Sequence, residues 1–189
     1  MGDPARVEQF AGEIDTWTVC ASGGQRALHN QYRDLLKHDP SSLSREREHG
    51  HFTASALMVD PLRASVLLVM HPRVKRWLQM GGHIEPGDMS FRDAALRECI
   101  EESGYRQIEV GSTPARFDRH DVPCKSARGE VVQSVHWDVQ FLAVVDSQSE
   151  CILTEDAPTR WWHLGSAMPE LDYSVKQLID TAREAFRLW

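Results

Sequence analysis

The apolar residues of this chain change their period as one reads along it. Leu28, Tyr32, Leu35 and Leu36 recur at i, i+4, i+7 and i+8, which predicts an amphipathic helix from about 24 to 38. "DPSS" (39–42) ends it. "FTASALMV" and "SVLLVM" are apolar runs of strand length on either side of the turn "DPLRA". The stretch "HPRVKRWLQMGGHIEPGD" breaks every period and reads as a loop. "ARFDRHDV" then predicts another strand. Val135, Trp137, Val139, Phe141, Ala143 and Val145 alternate with the residues between them, the period-2 pattern of a strand. "TRWWHL" is a short strand. Val175, Leu178, Ile179, Ala182, Ala185 and Phe186 return to helical spacing and predict a closing helix of about 16 residues. Helices fill the first 50 or so residues; strands, one helix, strands and one helix follow. This order predicts an α/β fold with a sheet covered by helices on both faces, not a helical bundle.

Composition narrows the function classes. The 189 residues, 41% hydrophobic and 26% charged, suffice for one domain of ordinary size with a core. A net charge of −7 gives no general attraction for nucleic acid, so none is expected as a partner. No apolar run is long enough to cross a membrane, and "MGDPARVEQF" has neither the basic start nor the apolar centre of a secretory signal. The four cysteines, Cys20, Cys99, Cys124 and Cys151, form no CxxC pair. A reduced, cytoplasmic protein without structural zinc is the expectation. The nine histidines are scattered. His49 and His51 make an HGH step with no matching ligand cluster after it, and they read as ordinary loop or strand residues.

The stretch that asks for chemistry is "GGHIEPGDMSFRDAALRECIEESGY", residues 81–105. Ser90 is placed to cap a helix, with Asp93 three residues on as the reciprocal partner. Gly104 suits a left-handed C-cap. Between them Glu98, Glu101 and Glu102 fall within an arc of about 100°, while Leu96 and Ile100 point the other way and are expected to bury. Three carboxylates on one face repel each other. They also oppose the helix dipole near its C-terminal end, so an ordinary solvated surface accounts for them poorly. A hard divalent cation, Mg²⁺ or Mn²⁺, would relieve both costs.

These residues resemble the signature of the Nudix hydrolases, G-x5-E-x7-R-E-U-x-E-E-x-G-U, where U is bulky and apolar. Gly82 matches the first glycine. Arg97-Glu98, Glu101-Glu102 and Gly104 match the second half, with Tyr105 in the last bulky position. Three positions depart: Asp88 stands for the first glutamate, eight residues rather than seven separate it from Arg97, and Cys99 replaces the aliphatic. The extra residue is expected to be absorbed ahead of Ser90 and to leave Asp88 out of register with the helix, outside the metal chemistry.

The resemblance implies a Nudix-type α/β/α sandwich with a mixed sheet at residues 51–189, after an N-terminal helical extension at 1–50. It implies a metal-dependent hydrolase that cleaves the diphosphate of a nucleoside diphosphate linked to another moiety, with that small nucleotide as its partner and a homodimer allowed. Gly82, Glu98, Glu101 and Glu102 would hold the ions, and Arg97 would pin a glutamate through a two-pronged salt bridge. Glu155, in the loop before "TRWWHL", is a further candidate ligand or base. His136 and Asp138 share one face of the long strand with Gln140 and would read substrate if that face lines the pocket. Trp77 is the candidate for stacking on a base. The alternative is a Nudix-fold protein that binds or senses a nucleotide without cleaving it. Isomerisation of an isoprenoid diphosphate, known on a related fold, needs a reactive cysteine that this sequence does not offer.

Overall fold

The computed structural model describes residues 4–17, 23–47, 49–125, 131–152 and 157–188. Two helices, α1 (Pro4–Asp15) and α2 (Gly23–His38), precede a short 3-10 turn at Pro40–Leu43 whose N-cap is Asp39. The strands follow as β1 (His51–Asp60), β2 (Ser65–Met70), β3 (Trp77–Leu78) and β4 (Met80–His83). Next come helix α3 (Phe91–Ser103), β5 (Glu109–Val110), β6 (Arg116–Lys125), β7 (Val131–Val144), β8 (Thr159–His163) and helix α4 (Tyr173–Phe186).

All eight strands join one mixed sheet of order β3-β2-β1-β7-β5, in which β4 also pairs with β1, β6 with β7 and β8 with β2. β1 and β7 run parallel, with His51 beside His136 and Ala56 beside Phe141. The other pairings are antiparallel. β1 is the spine, and all ten of its residues are buried. Phe52, Ala54, Ala56 and Met58 face a core shared with Phe10 and Ile14 of α1, Tyr32 and Leu36 of α2, and Phe91, Ala95 and Cys99 of α3. Leu57 and Val59 face the second core, with Val175, Leu178, Ile179 and Ala182 of α4. A strand buried on both faces has no reason to alternate, and this is why "FTASALMV" reads as a continuous apolar run. The expected three-layer arrangement is therefore observed.

Three short strands were hidden from the pattern. β3 and β4 lie inside the segment that reads as loop, and β5 has two residues. β4 carries two glycines because β1 comes too close for anything larger. A Cβ on Gly81 would stand 2.8 Å from Ser55 Cα and 2.9 Å from the Ala54 carbonyl oxygen. No helix among the described residues is long and apolar enough to cross a membrane.

Candidate active site

Helix α3 begins and ends as the sequence predicts. Ser90 accepts a hydrogen bond from the Asp93 N–H at 3.0 Å, and Gly104 closes the helix at φ 74°. Its buried stripe, however, is Phe91, Ala94, Ala95, Cys99 and Ser103. Leu96 and Ile100, expected to bury, are half-buried and line a shallow pocket of about 280 Å³ with Asp93, Arg97 and Glu101. The small residues explain the difference: Ala94, Ala95, Cys99 and Ser103 let the helix lie close on the sheet, which larger Leu and Ile side chains would prevent.

That close approach presses the carboxylates against β4. A Cβ on Gly82 would come within 2.6 Å of Glu98 Cδ, so a glycine is needed for Glu98 to lie where it does. The Gly81 N–H donates to Glu102 Oε2 at 2.9 Å. Arg97 lies between the remaining acids. Its Nη1 donates to Glu98 Oε1 at 2.8 Å and to Glu101 Oε2 at 3.2 Å, and its Nη2 donates to the His83 carbonyl at 2.9 Å. Burial raises the pKa of Glu98, against the lowering influence of Arg97 and with Glu101 and Glu85 adding to the rise. Arg97 and Gly81 thus hold the three glutamates in two groups: Glu98 with Glu101, and Glu102 on the strand.

Two expectations about this stretch are corrected. Asp88 is buried and not peripheral, and the two-pronged partner of Arg97 is this aspartate, not a glutamate. Nε donates to Oδ1 at 3.2 Å and Nη2 to Oδ2 at 3.1 Å. The loop folds back on itself to allow it: the Glu85 N–H donates to Asp88 Oδ2 at 2.7 Å and the Asp88 N–H to the Glu85 carbonyl at 3.0 Å. Helix α1 clamps the same loop. Arg6 donates to the Asp88 and Glu85 carbonyls, both at 2.8 Å, and Glu13 accepts from the N–H groups of Phe91 and Arg92 at 2.6 and 3.1 Å. Nothing in the sequence signals these contacts, because about 80 residues lie between the partners and neither Arg6 nor Glu13 sits in a motif. A cavity of about 1300 Å³ lies between α1, α2 and the 3-10 turn, and Ile84, Glu85 and Pro86 of this loop line one side of it.

His136 and Asp138 lie on the opposite face of the sheet from α3. Asp138 is buried, and its carboxylate accepts from Thr53 Oγ1 at 3.0 Å, Ser55 Oγ at 2.6 Å and Gln140 Nε2 at 3.2 Å. Burial raises its pKa, while Ser55, His120 and Thr53 pull it back. Two neighbouring amides have buried oxygens without a partner, Gln140 Oε1 and Gln79 Oε1, and Gln79 Nε2 donates to Ser55 Oγ at 3.2 Å. Trp77 is half-buried and meets Trp162 edge to face at 5.7 Å in the cluster under α4. Glu155 lies outside the described residues.

His51 does have ligand-type companions, contrary to the reading of its HGH step. It converges with His83 and His136 on the face that carries Asp138. Burial holds His83 down to about 4 and His136 to about 3, with neighbouring histidines adding to both shifts, so both rings are neutral near pH 7. The sequence signal was weak: each histidine occupies a different strand, and only the register of β1 with β4 and β7 brings them together.

A family profile described as the NUDIX domain matches residues 50–180. The chain belongs to the Nudix hydrolase family. The Escherichia coli dihydroneopterin triphosphate pyrophosphohydrolase shares the fold at 17% identity and a TM-score of 0.50, over 68% of this chain and 92% of that one. The NUDIX domain of Shewanella oneidensis NrtR, solved with ADP ribose, is 26% identical with a TM-score of 0.49, over 80% and 96% of the two chains. A Caenorhabditis elegans Ap4A hydrolase is 19% identical with a TM-score of 0.47, over 71% and 97%. No curated protein matches the chain. The matched range includes the whole of the stretch from Gly82 to Gly104 whose geometry is described above.

Proposed function

We propose that this Nudix protein is a metal-dependent hydrolase of a nucleoside diphosphate linked to another moiety, with its chemistry at the outer edge of β4 and α3. The observation that carries the reading is the packing of Glu98, Glu101 and Glu102 around Arg97 and the Gly81-Gly82 backbone. The donors suit a hard ion. They are carboxylate oxygens, one of them raised in pKa by burial, beside a glycine whose missing side chain leaves the space that Glu98 fills. Glu98, Glu101 and Glu102 would hold Mg²⁺ or Mn²⁺, with the Gly82 carbonyl completing the set. When bound, such ions neutralise the diphosphate and lower the pKa of water.

The chain's own residues do the rest. Arg97 keeps Glu98 and Glu101 in position, and Asp88 keeps Arg97 there; both act through other residues. Glu102 is oriented by the Gly81 N–H. Glu98, whose pKa burial raises, suits the acceptance of a proton from attacking water. On the other face, His136, Asp138 and Trp77 contribute to the substrate side. Asp138 does so indirectly, by aligning Ser55 and Thr53. We take residues 1–50 as an N-terminal extension that braces the active-site loop of a domain at 51–189. The protein is proposed to act in the cytoplasm.

The test is a panel of nucleoside triphosphates, sugar nucleotides and dinucleoside polyphosphates with Mg²⁺ or Mn²⁺, reading phosphate and diphosphate release separately. Cleavage of at least one class, abolished by a chelator and restored by the ion, is expected. Binding of a nucleotide with no turnover on any substrate would favour the non-catalytic alternative.

A further inference from the structure

Three imidazoles form a triangle on the sheet face opposite α3. His51 opens β1, His136 is its register partner in β7, and His83 ends β4 opposite Thr53. The ring centroids stand 5.0, 5.0 and 5.3 Å apart, and one nitrogen from each ring lies within 4.8 Å of the other two. Among the described residues, no other group of three His, Cys, Asp or Glu side chains converges so closely. The backbone is built for this approach. Gly50 has φ 115°, and a Cβ there would stand 2.9 Å from the Val135 carbonyl oxygen, so glycine lets β1 start hard against β7.

His51 supplies the second, independent observation. It is 2% exposed, and its Nδ1 lies 3.2 Å from the Arg47 carbonyl oxygen. A carbonyl only accepts, so Nδ1 carries the proton and Nε2 keeps its lone pair. That Nε2 is buried and has no hydrogen-bond partner. An imidazole fixed by an Nδ1–H bond to a backbone carbonyl, with Nε2 left bare, is the arrangement of a metal-ligating histidine.

We propose that His51, His83 and His136 bind one divalent transition-metal ion of the zinc class through three imidazole nitrogens, at a site separate from the α3 carboxylates. Imidazole suits Zn²⁺ and its first-row neighbours, whereas Mg²⁺ takes oxygen ligands and belongs to the glutamates. A tetrahedral zinc site places its nitrogens about 3.4 Å apart, so the rings close in by roughly an ångström on binding. Three protein ligands leave a fourth position open, and half-buried His83 and His136 give it an accessible side. The site shares His136 with the proposed substrate face, but it is read out by metal binding and not by turnover, so its failure and that of the hydrolase reading are distinguishable.

The experiment titrates untagged protein with Zn²⁺ in a large excess of Mg²⁺, by calorimetry, with the imidazole nitrogens followed by NMR. It compares wild type, His51→Asn, His83→Gln, His136→Gln, the triple variant and Glu102→Gln. One Zn²⁺ per chain is expected, with a shift of the His51 Nε2 resonance. Each single histidine substitution should weaken binding at least about 10-fold, the triple variant should abolish it, and Glu102→Gln should retain it. If His51→Asn does not fold, the half-buried His83 and His136 variants decide. Wild-type binding no tighter than that of the triple variant would overturn the site. So would binding lost in Glu102→Gln but kept in the histidine variants.

Discussion

Arg97 grips Asp88 with two nitrogens, Nε at 3.2 Å from one carboxylate oxygen and Nη2 at 3.1 Å from the other, across nine residues of chain. The same guanidinium reaches Glu98, Glu101 and the His83 carbonyl. One planar group thereby fixes the loop, the helix and the strand relative to each other. A two-pronged charged pair defines orientation as well as distance, which a lysine ammonium at the same place cannot do.

Asp88→Asn should therefore be costly. The amide keeps the shape but loses the charge and one acceptor oxygen, and Arg97 is left to redistribute among Glu98 and Glu101. We expect turnover to fall by about 10-fold or more, and Arg97→Lys to fall comparably, with circular dichroism unchanged in both. Turnover of Asp88→Asn equal to wild type would show that the grip on Arg97 does not reach the chemistry.

The two glycines of β4 should fail in different ways. A methyl at Gly82 meets the far end of the Glu98 side chain, which can swing aside. Gly82→Ala should keep its melting temperature within a few degrees and lose about 10-fold or more in turnover. A methyl at Gly81 meets the backbone of Ala54 and Ser55, which cannot move without shifting β1. Gly81→Ala should lose stability first, by about 1–3 kcal/mol. Chemical denaturation of both variants separates the two outcomes, and equal destabilisation would refute the distinction.

Glu13 caps a helix that it does not belong to. Removing its carboxylate in Glu13→Ala leaves the Phe91 and Arg92 N–H groups without their acceptor, at a cost of about 1 kcal/mol. Amide hydrogen exchange should quicken at the start of α3 and leave its C-terminal turn unaffected. Unchanged protection at Phe91 and Arg92 would contradict the bracing role of α1.

The sequence makes the helix–strand order legible because long elements with a clean period announce themselves: α2, β1, β2, β7 and α4 all lie where the spacing places them. β3 and β4 escape because strands this short, with glycines chosen for close approach, carry no period. The Arg97-to-Glu102 register is legible too, since adjacent helical turns fix it locally. Asp88, Arg6, Glu13 and the His51–His83–His136 triangle are not, because their neighbours arrive through tertiary contacts. Counting residues in the loop puts Asp88 out of register, and only the turn between Glu85 and Asp88 brings its carboxylate back to Arg97.

Asp60 sets an acid limit on the fold. Burial alone would raise its pKa, but hydrogen bonds from Ser147 and Arg63 outweigh that and hold it at about 2, against an ordinary 3.8. A depressed carboxyl stabilises the folded state fully above its unfolded value, and the benefit fades as pH falls from near 4 toward 2. Asp60→Asn should thus be less stable than wild type at pH 7, with the gap narrowing at pH 3. Urea melts at the two values check this; an equal gap at both would assign the loss to packing, not charge.

In the proposed function the α3 carboxylates bind the ion that hydrolysis requires. Its most direct test pairs Mn²⁺ binding, followed by electron paramagnetic resonance, with turnover of a cleaved diphosphate substrate in wild type and Glu102→Gln. The expected result is Mn²⁺ affinity weakened by about 10-fold or more and turnover reduced by about 100-fold or more in the variant, at an unchanged melting temperature without metal. Wild-type affinity and turnover in Glu102→Gln would contradict the account.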